Sequence, residues 1–245
     1  MSASDASRVL ENFPVAILAG GLATRLRPIT ETIPKALVPI AGEPFLAHQL
    51  RLLHSRGIRR VVLCVGYLGE MIEKEFGNGA EGITIEYSFD GPQLLGTGGA
   101  LKRALPKLGP QFFVLYGDSY LPIDYASVAA ALNTSEKQAV MTVFRNENRW
   151  DSSNVTFDGK DIRCYDKKNR TAEMEYIDYG LGAFKTEALA EWSDDKPFDL
   201  ADVYRDLVGK SQLAGFEVKQ RFYEAGSPAG LAELDSVLRD PTTFL

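Results

Sequence analysis

"VAILAGGLATRLRPITETIPKAL", Val15–Leu37, sets an unbroken apolar run directly before a glycine pair. The run through Leu18 and Ala19 reads as a strand buried on both faces. Gly20 and Gly21 let the backbone pass close to a ligand and offer N–H groups to oxygens. Thr24 adds a hydroxyl, and Arg25 adds a planar fork of donors suited to phosphate. Pro28 and Pro34 stiffen the stretch, and Pro34 presets the approach of Lys35. The common phosphate loops do not match. The later glycines of GxGxxG are missing, and no GxxxxGK[ST] occurs.

Strand and helix patterns alternate outward from this loop. "PFLAHQLRLLHSRG" carries apolar residues at helical spacing and closes on Gly57. "RRVVLCV" reads as a strand, "LGEMIEKEFG" as a helix and "ITIEYS" as a strand. "GGALKRALPKL" reads as a helix, and "QFFVLYGD" as a buried strand ending in Asp118. This rhythm predicts an α/β fold, with a mostly parallel central sheet and helices on both faces. Ligands of such sheets lie beyond the carboxyl ends of the strands. The opening loop, the 90–99 loop and Asp118 all follow strands.

The second half reads differently. "QAVMTVFR", "SNVTFDG", "DIRCYDK" and "EYIDYGLGAF" are short strands between turn signals. "FDLADVYRDLVGKSQ" is an amphipathic helix, and "LAGFEVKQRFYEAG" is read as a hairpin-like strand pair. "SPAGLAELDSVL" is a helix with Ser227 as N-cap and Pro228 at its first position. One domain of 245 residues is expected, its halves sharing one sheet. Residues 14–121 would form one half, and residues 122–236 a second that adds a small lobe over the crevice.

Lys and Arg number 27 against 33 Asp and Glu, a net charge of −6. That balance gives no bulk attraction to nucleic acid or an anionic membrane. No run approaches the ~20 apolar residues of a membrane helix. "MSASDASRVLENFP" lacks the basic start and apolar run of a secretory leader. Cys64 and Cys164 have no CxxC partner and are expected as buried free thiols in a reducing cytoplasm. His48 and His54, six apart in one helix, do not have metal-ligand spacing.

"AGGLATRLRPIT" followed by "PKALVPIAGEP" resembles the signature of sugar-1-phosphate nucleotidylyltransferases, the enzymes that make NDP-sugars. Ala23 stands where that signature has glycine. The resemblance implies a Rossmann-like nucleotide-diphospho-sugar transferase fold with a sugar-binding lobe. It implies that Gly20 and Gly21 hold nucleotide phosphates, Arg25 grips the leaving pyrophosphate and Lys35 neutralises phosphate charge. "LLGTGGAL" resembles the family's base-supporting loop, where Gly96, Gly98 and Gly99 allow close approach to a flat base. Thr97 could cap the following helix, and Gln93 could pair with a base edge.

Asp118 in "LYGDSYL" matches the family's Mg²⁺-binding aspartate. Glu224 in "FYEAGSPAGL" stands where a second metal-binding aspartate occurs. It would reach the metal directly or through water, although a capping acid before a helix would look the same. In "CYDKKN", Lys167 is favoured for the sugar phosphate, with Lys168 its rival. Asp178 and Gly180 in "IDYGLGAF" match a strand that contacts sugar hydroxyls, and Asp178 departs from the amide that often stands there.

The resemblance spans residues 14–236 and implies a catalytic domain without the acyltransferase half of some relatives. Its partners would be an NTP, with GTP favoured, and a sugar 1-phosphate, with a homodimer left open. Heptose 1-phosphate guanylyltransferases look most similar. A uridylyltransferase for N-acetylmuramate or hexosamine 1-phosphate remains open, as does a cytidylyltransferase for a phosphorylated alcohol. A non-catalytic sensor would be expected to lack Arg25, Lys35 or Asp118.

Overall fold

The computed structural model describes residues 10, 13–193 and 196–240, so most of the stretch judged against a secretory leader lies outside the described residues. Four strands, β1 (Val15–Leu18), β2 (Arg60–Val65), β3 (Ile83–Phe89) and β4 (Gln111–Tyr116), form the parallel centre. β1 lies between β2 and β4, with Val15 opposite both Val61 and Phe113, and β3 flanks β2. The chain therefore steps outward from β1 to β3 and returns to the far side of β1. The strand order reverses between β1 and β4, and ligands of such sheets bind outside the carboxyl ends of the strands at that switch point.

Alternation along the strands decides which helix each face receives. Val15, Ile17, Val61 and Leu63 pack with Leu46, Leu50 and Leu53 of α1 (Phe45–Ser55) and Ile72 of α2 (Gly69–Phe76). Ala16, Val62 and Cys64 face the other way, onto Leu101 and Ala104 of α3 (Gly96–Leu108). Each fully buried Leu or Ile contributes about 1.5–3 kcal/mol. The two layers hold the strand ends that carry the site.

The second half continues the same sheet, as expected. It comprises α4 (Tyr125–Ser135), β5 (Ala139–Arg145), β6 (Val155–Phe157), β7 (Ile162–Tyr165) and β8 (Tyr176–Lys185), then α5 (Leu200–Gly209), β9 (Leu213–Val218) and α6 (Pro228–Arg239). β8 runs antiparallel to β4, with Leu181 opposite Leu115, and also pairs with β5, making one ten-stranded sheet. α4 carries little sequence signal. Its alanine-rich segment shows little helical period, and Asp124 starts it by accepting from Ala126 N–H. Ser227 caps α6 as expected, accepting from Gly230 N–H.

Two expectations are corrected. Leu213–Gly226 is not a hairpin: β9 pairs in parallel with β5, and Tyr223–Glu224 pairs with Ser119–Tyr120 in a separate small sheet. Residues 219–222 (KQRF) contain no turn residue to close a hairpin. Cys164 is exposed rather than buried, because β7 ends the sheet and turns only Ile162 and Tyr165 inward. Cys64 is buried. Burial first, and Asp90 second, push its thiol up to about 12. His48 is buried against the carbonyl of Ile40, a packing role. Among the described residues no helix is long and apolar enough to cross a membrane.

Candidate active site

The loops after β1 and β4 touch. A Cβ on Gly117 would lie 2.3 Å from the Leu18 carbonyl, and one on Gly20 would lie 3.0 Å from Gly66 N. Gly20 is thus needed for backbone packing, while Gly21 faces open space. Three short 3-10 turns follow, Thr24–Leu26, Ile29–Glu31 and Lys35–Leu37. Ala23 enters the first in a left-handed conformation, φ 47° and ψ 45°, where glycine is normally favoured. Thr30 Oγ1 donates to the Ala23 carbonyl at 2.9 Å and ties the loop back on itself.

The turns bring two cations to two acids. Lys35 Nζ donates to Asp118 Oδ2 at 2.9 Å. Arg25 Nη2 lies 4.0 Å from Asp118 Oδ2 and 3.9 Å from Glu224 Oε2. Glu224 arrives through the small sheet, where it pairs with Ser119, and Ala225 N–H donates to the Asp118 carbonyl at 2.7 Å. Its carboxylate accepts from Ser227 Oγ and from Gly226 N–H. A Cβ on Gly226 would stand 2.3 Å from Glu224 Oε2, 2.7 Å from Arg25 Nη2 and 3.0 Å from Asp118 Oδ2. Glycine keeps this cradle open.

A cavity of about 400 Å³ follows the strand ends. It meets Tyr116 and Asp118 after β4, Leu18 and Ala19 after β1, Cys64 on β2, and Asp90 after β3. Asp118 and Asp90 thus stand three strand spacings apart, roughly 14 Å. Gly96 and Thr97 line the cavity with Leu94, whereas Gln93 does not and is exposed. Gly98 instead packs under Phe198, and its N–H donates to the Phe198 carbonyl at 3.0 Å. Thr97 does not cap α3. Its hydroxyl donates to Asp199 Oδ1 and accepts from Leu200 N–H, joining the loop to the start of α5. Its place inside the first turn of α3 leaves it no cap geometry there.

Asp90 was missed by the sequence reading. It is 4% exposed, and its Oδ2 accepts from Leu95 N–H at 3.1 Å. Oδ1 is buried without a partner. Burial pushes the carboxyl above the usual carboxylate range, against the pull of Leu95 N–H and Arg103. A signal was present in the sequence: an acid directly after a strand, close to the pattern that drew attention to Asp118, which stands one residue further from its own strand.

Lys167 also lines the cavity, and Lys168 does not. Asp166 Oδ1 accepts from the N–H groups of Lys168 and Asn169, folding the segment into a tight turn. Asp178 lies beside the cavity rather than among its lining residues, and accepts from two tyrosines. Gly180 has φ +103°, and a Cβ there would strike Ser119 Oγ at 2.7 Å.

A family model for nucleotidyl transferases matches residues 15–224. The chain belongs to the nucleotidyl transferase family. A relative described as a D-glycero-alpha-D-manno-heptose 1-phosphate guanylyltransferase, from Campylobacter jejuni, is 37% identical over 86% of this chain and 94% of its own length. A UTP–glucose-1-phosphate uridylyltransferase from Synechocystis is 32% identical over 78% of this chain and 54% of its own length. The crystal structure of HddC from Yersinia pseudotuberculosis complexed with GMP-PN superposes with a TM-score of 0.75. It covers 91% of this chain and 98% of its own at 24% identity, a likeness of fold. In this nucleotidyl transferase the matched region ends on Glu224, the acid that the small sheet sets beside Asp118.

Proposed function

We propose that this nucleotidyl transferase joins an NTP to a sugar 1-phosphate, giving an NDP-sugar and pyrophosphate, with GTP and a heptose or related hexose 1-phosphate as the preferred pair. The observation that carries this reading is the polarity of the cavity. Lys35, bonded to Asp118, and Lys167, over the Tyr116 ring, line it on the β4 side, and Asp90 lines it at the end of β3, its buried Oδ1 unpartnered. Guanine presents N1–H and N2–H₂ side by side and suits such an acceptor. Uracil offers one N–H between two carbonyls, which a carboxylate repels. The Campylobacter relative's described activity supports the same base and sugar.

An oxygen of the sugar phosphate attacks the α-phosphorus. The new P–O bond forms as the bond to pyrophosphate breaks in line with it. Both partners are anions, so the main task is to offset repulsion and hold the oxygens aligned. Arg25 faces the leaving pyrophosphate, Lys35 the nucleotide phosphates and Lys167 the sugar phosphate. Asp118 and Glu224 offer the hard oxygen ligands that Mg²⁺ requires, in a cradle kept clear by Gly226. Bound there, the ion would add positive charge to the phosphates. No covalent nucleophile is needed. A cytoplasmic enzyme with free thiols fits this reading.

Pyrophosphate release measured with four NTPs against a panel of sugar and alcohol phosphates tests the proposal. Turnover is expected with GTP and a heptose or hexose 1-phosphate. A preference for UTP or CTP would overturn the base reading, and no release with any pair would overturn the reaction.

A further inference from the structure

The Asp178 carboxylate occupies a place where a sugar contact is expected, yet its oxygens are already engaged. Oδ2 accepts from Tyr116 OH at 2.9 Å and from Tyr165 OH at 3.2 Å. Oδ1 accepts from Gly180 N–H at 3.1 Å, and Asp178 N–H donates to Asn154 Oδ1 at 3.0 Å. Tyr204, also buried, packs edge-on against Tyr165. Above this cluster the Lys167 ammonium sits 5.0 Å from the Tyr116 ring centre and 5.8 Å from that of Tyr165. Lys167 makes no ion pair with any described residue.

We infer that Asp178 is a positioning residue: it locks the Tyr116 and Tyr165 rings into a cation–π seat that holds Lys167 at the cavity, its charge unpaired. A phenol donating to a carboxylate is polarised toward its ring, which deepens the attraction of the ring face for a cation. Burial first, and the Asp178 charge second, push both phenols up, so they remain neutral donors. An aromatic seat differs from the Lys35–Asp118 pair in one useful respect. It orients the ammonium without neutralising it, leaving full charge for an incoming phosphate. The shape of the 166–169 turn fixes the main chain, and the two rings fix the side chain. The part played by the sugar phosphate in this inference rests on the proposed reaction; the seat itself does not.

The test is NMR of the protein labelled with lysine carrying ¹³C at the ε carbon, alongside kinetics. The Lys167 ε-CH₂ protons, identified by their loss in Lys167→Met, should lie upfield through ring currents. They should move toward exposed-lysine positions in Asp178→Asn and in Tyr116→Phe, which removes the donor without altering β8. In Asp178→Asn the KM for the sugar 1-phosphate should rise about tenfold, within the range of a desolvated cation–π contact. The KM for the NTP should hold, and the effect should vanish in the Lys167→Met background. An unmoved Lys167 signal in folded Asp178→Asn and Tyr116→Phe would overturn the seat. A KM effect that persists without Lys167 would instead make Asp178 a direct sugar contact and overturn its positioning role. Absence of sugar 1-phosphate turnover in the wild type would overturn the reaction alone, with the NMR shift still deciding the seat.

Discussion

Lys35 Nζ and Asp118 Oδ2 stand 2.9 Å apart, an ion pair closing a loop of 83 residues at the switch point of the sheet. That bond occupies both the lysine charge proposed for phosphate and the oxygen proposed for metal. On the proposed reaction, a nucleotide arriving with Mg²⁺ would exchange partners on both. Lys35→Ala should therefore lower kcat by about 10²–10³, the loss typical of one preorganised charge contact. Stability should change by ~1 kcal/mol or less, since the pair is partly exposed. Steady-state pyrophosphate assays with thermal melts check this. Near-normal turnover in folded Lys35→Ala would count against the assignment.

Gly226→Ala tests the cradle. Its Cβ would displace Glu224 Oε2 and Arg25 Nη2 together, while the main chain stays in a region open to alanine. The Mg²⁺ concentration for half-maximal activity should rise at least about tenfold, the lower end for disturbing a metal's surroundings. Melting should shift little. Titration of Mg²⁺ in both proteins gives the comparison, and an unchanged requirement would place the metal elsewhere.

Asp90→Asn addresses base choice and stability at once. An amide offers one donor and one acceptor, which suits uracil better than guanine. The kcat/KM ratio of GTP to UTP should fall by about 10–100-fold, the value of a lost base contact. The folded chain holds the Asp90 proton more tightly than the unfolded chain. Its contribution to stability is therefore present below the ordinary value of 3.8 and is lost as pH rises through the elevated folded value. Asp90→Asn should be about 1–3 kcal/mol more stable than wild type at pH 7, because an unpartnered buried charge is removed. That gap should close at acid pH. Denaturant melts at pH 3.5 and 7 check the sign.

Ala23→Gly should stabilise the protein by about 0.5–1 kcal/mol, since glycine takes the left-handed conformation without the Cβ clash. At this chain length that is roughly 2–4 °C in Tm per kcal/mol. A lower Tm would mean that the loop draws more from alanine's stiffness than it loses in strain.

Much of this molecule was legible along the chain. The strand through Leu18, the α/β alternation, the Ser227 cap and the clustering of Arg25, Lys35 and Asp118 at strand ends all follow from local signals. Strand and helix periods, caps and turns are written in contiguous residues, and strand order then carries the loops to one edge. What remained depended on contacts between segments distant in sequence. Gln93 and Asp90 lie three residues apart, and only the tilt of the loop over β3 decided which meets the cavity. Asp178 reads along the chain as a sugar contact, and only the fold shows two phenols, from β4 and β7, donating to it. Glu224 reaches Asp118 through a sheet two residues long, and no local pattern announces that pairing. The sequence by itself determined the layered fold and the class of chemistry, because both rest on periodicity and on residue type at strand ends. Only the tertiary structure decided which acid after β3 lines the cavity, which lysine enters it and which rings lie against that lysine. Those outcomes turn on register and side-chain direction, set by packing against residues far away in the chain.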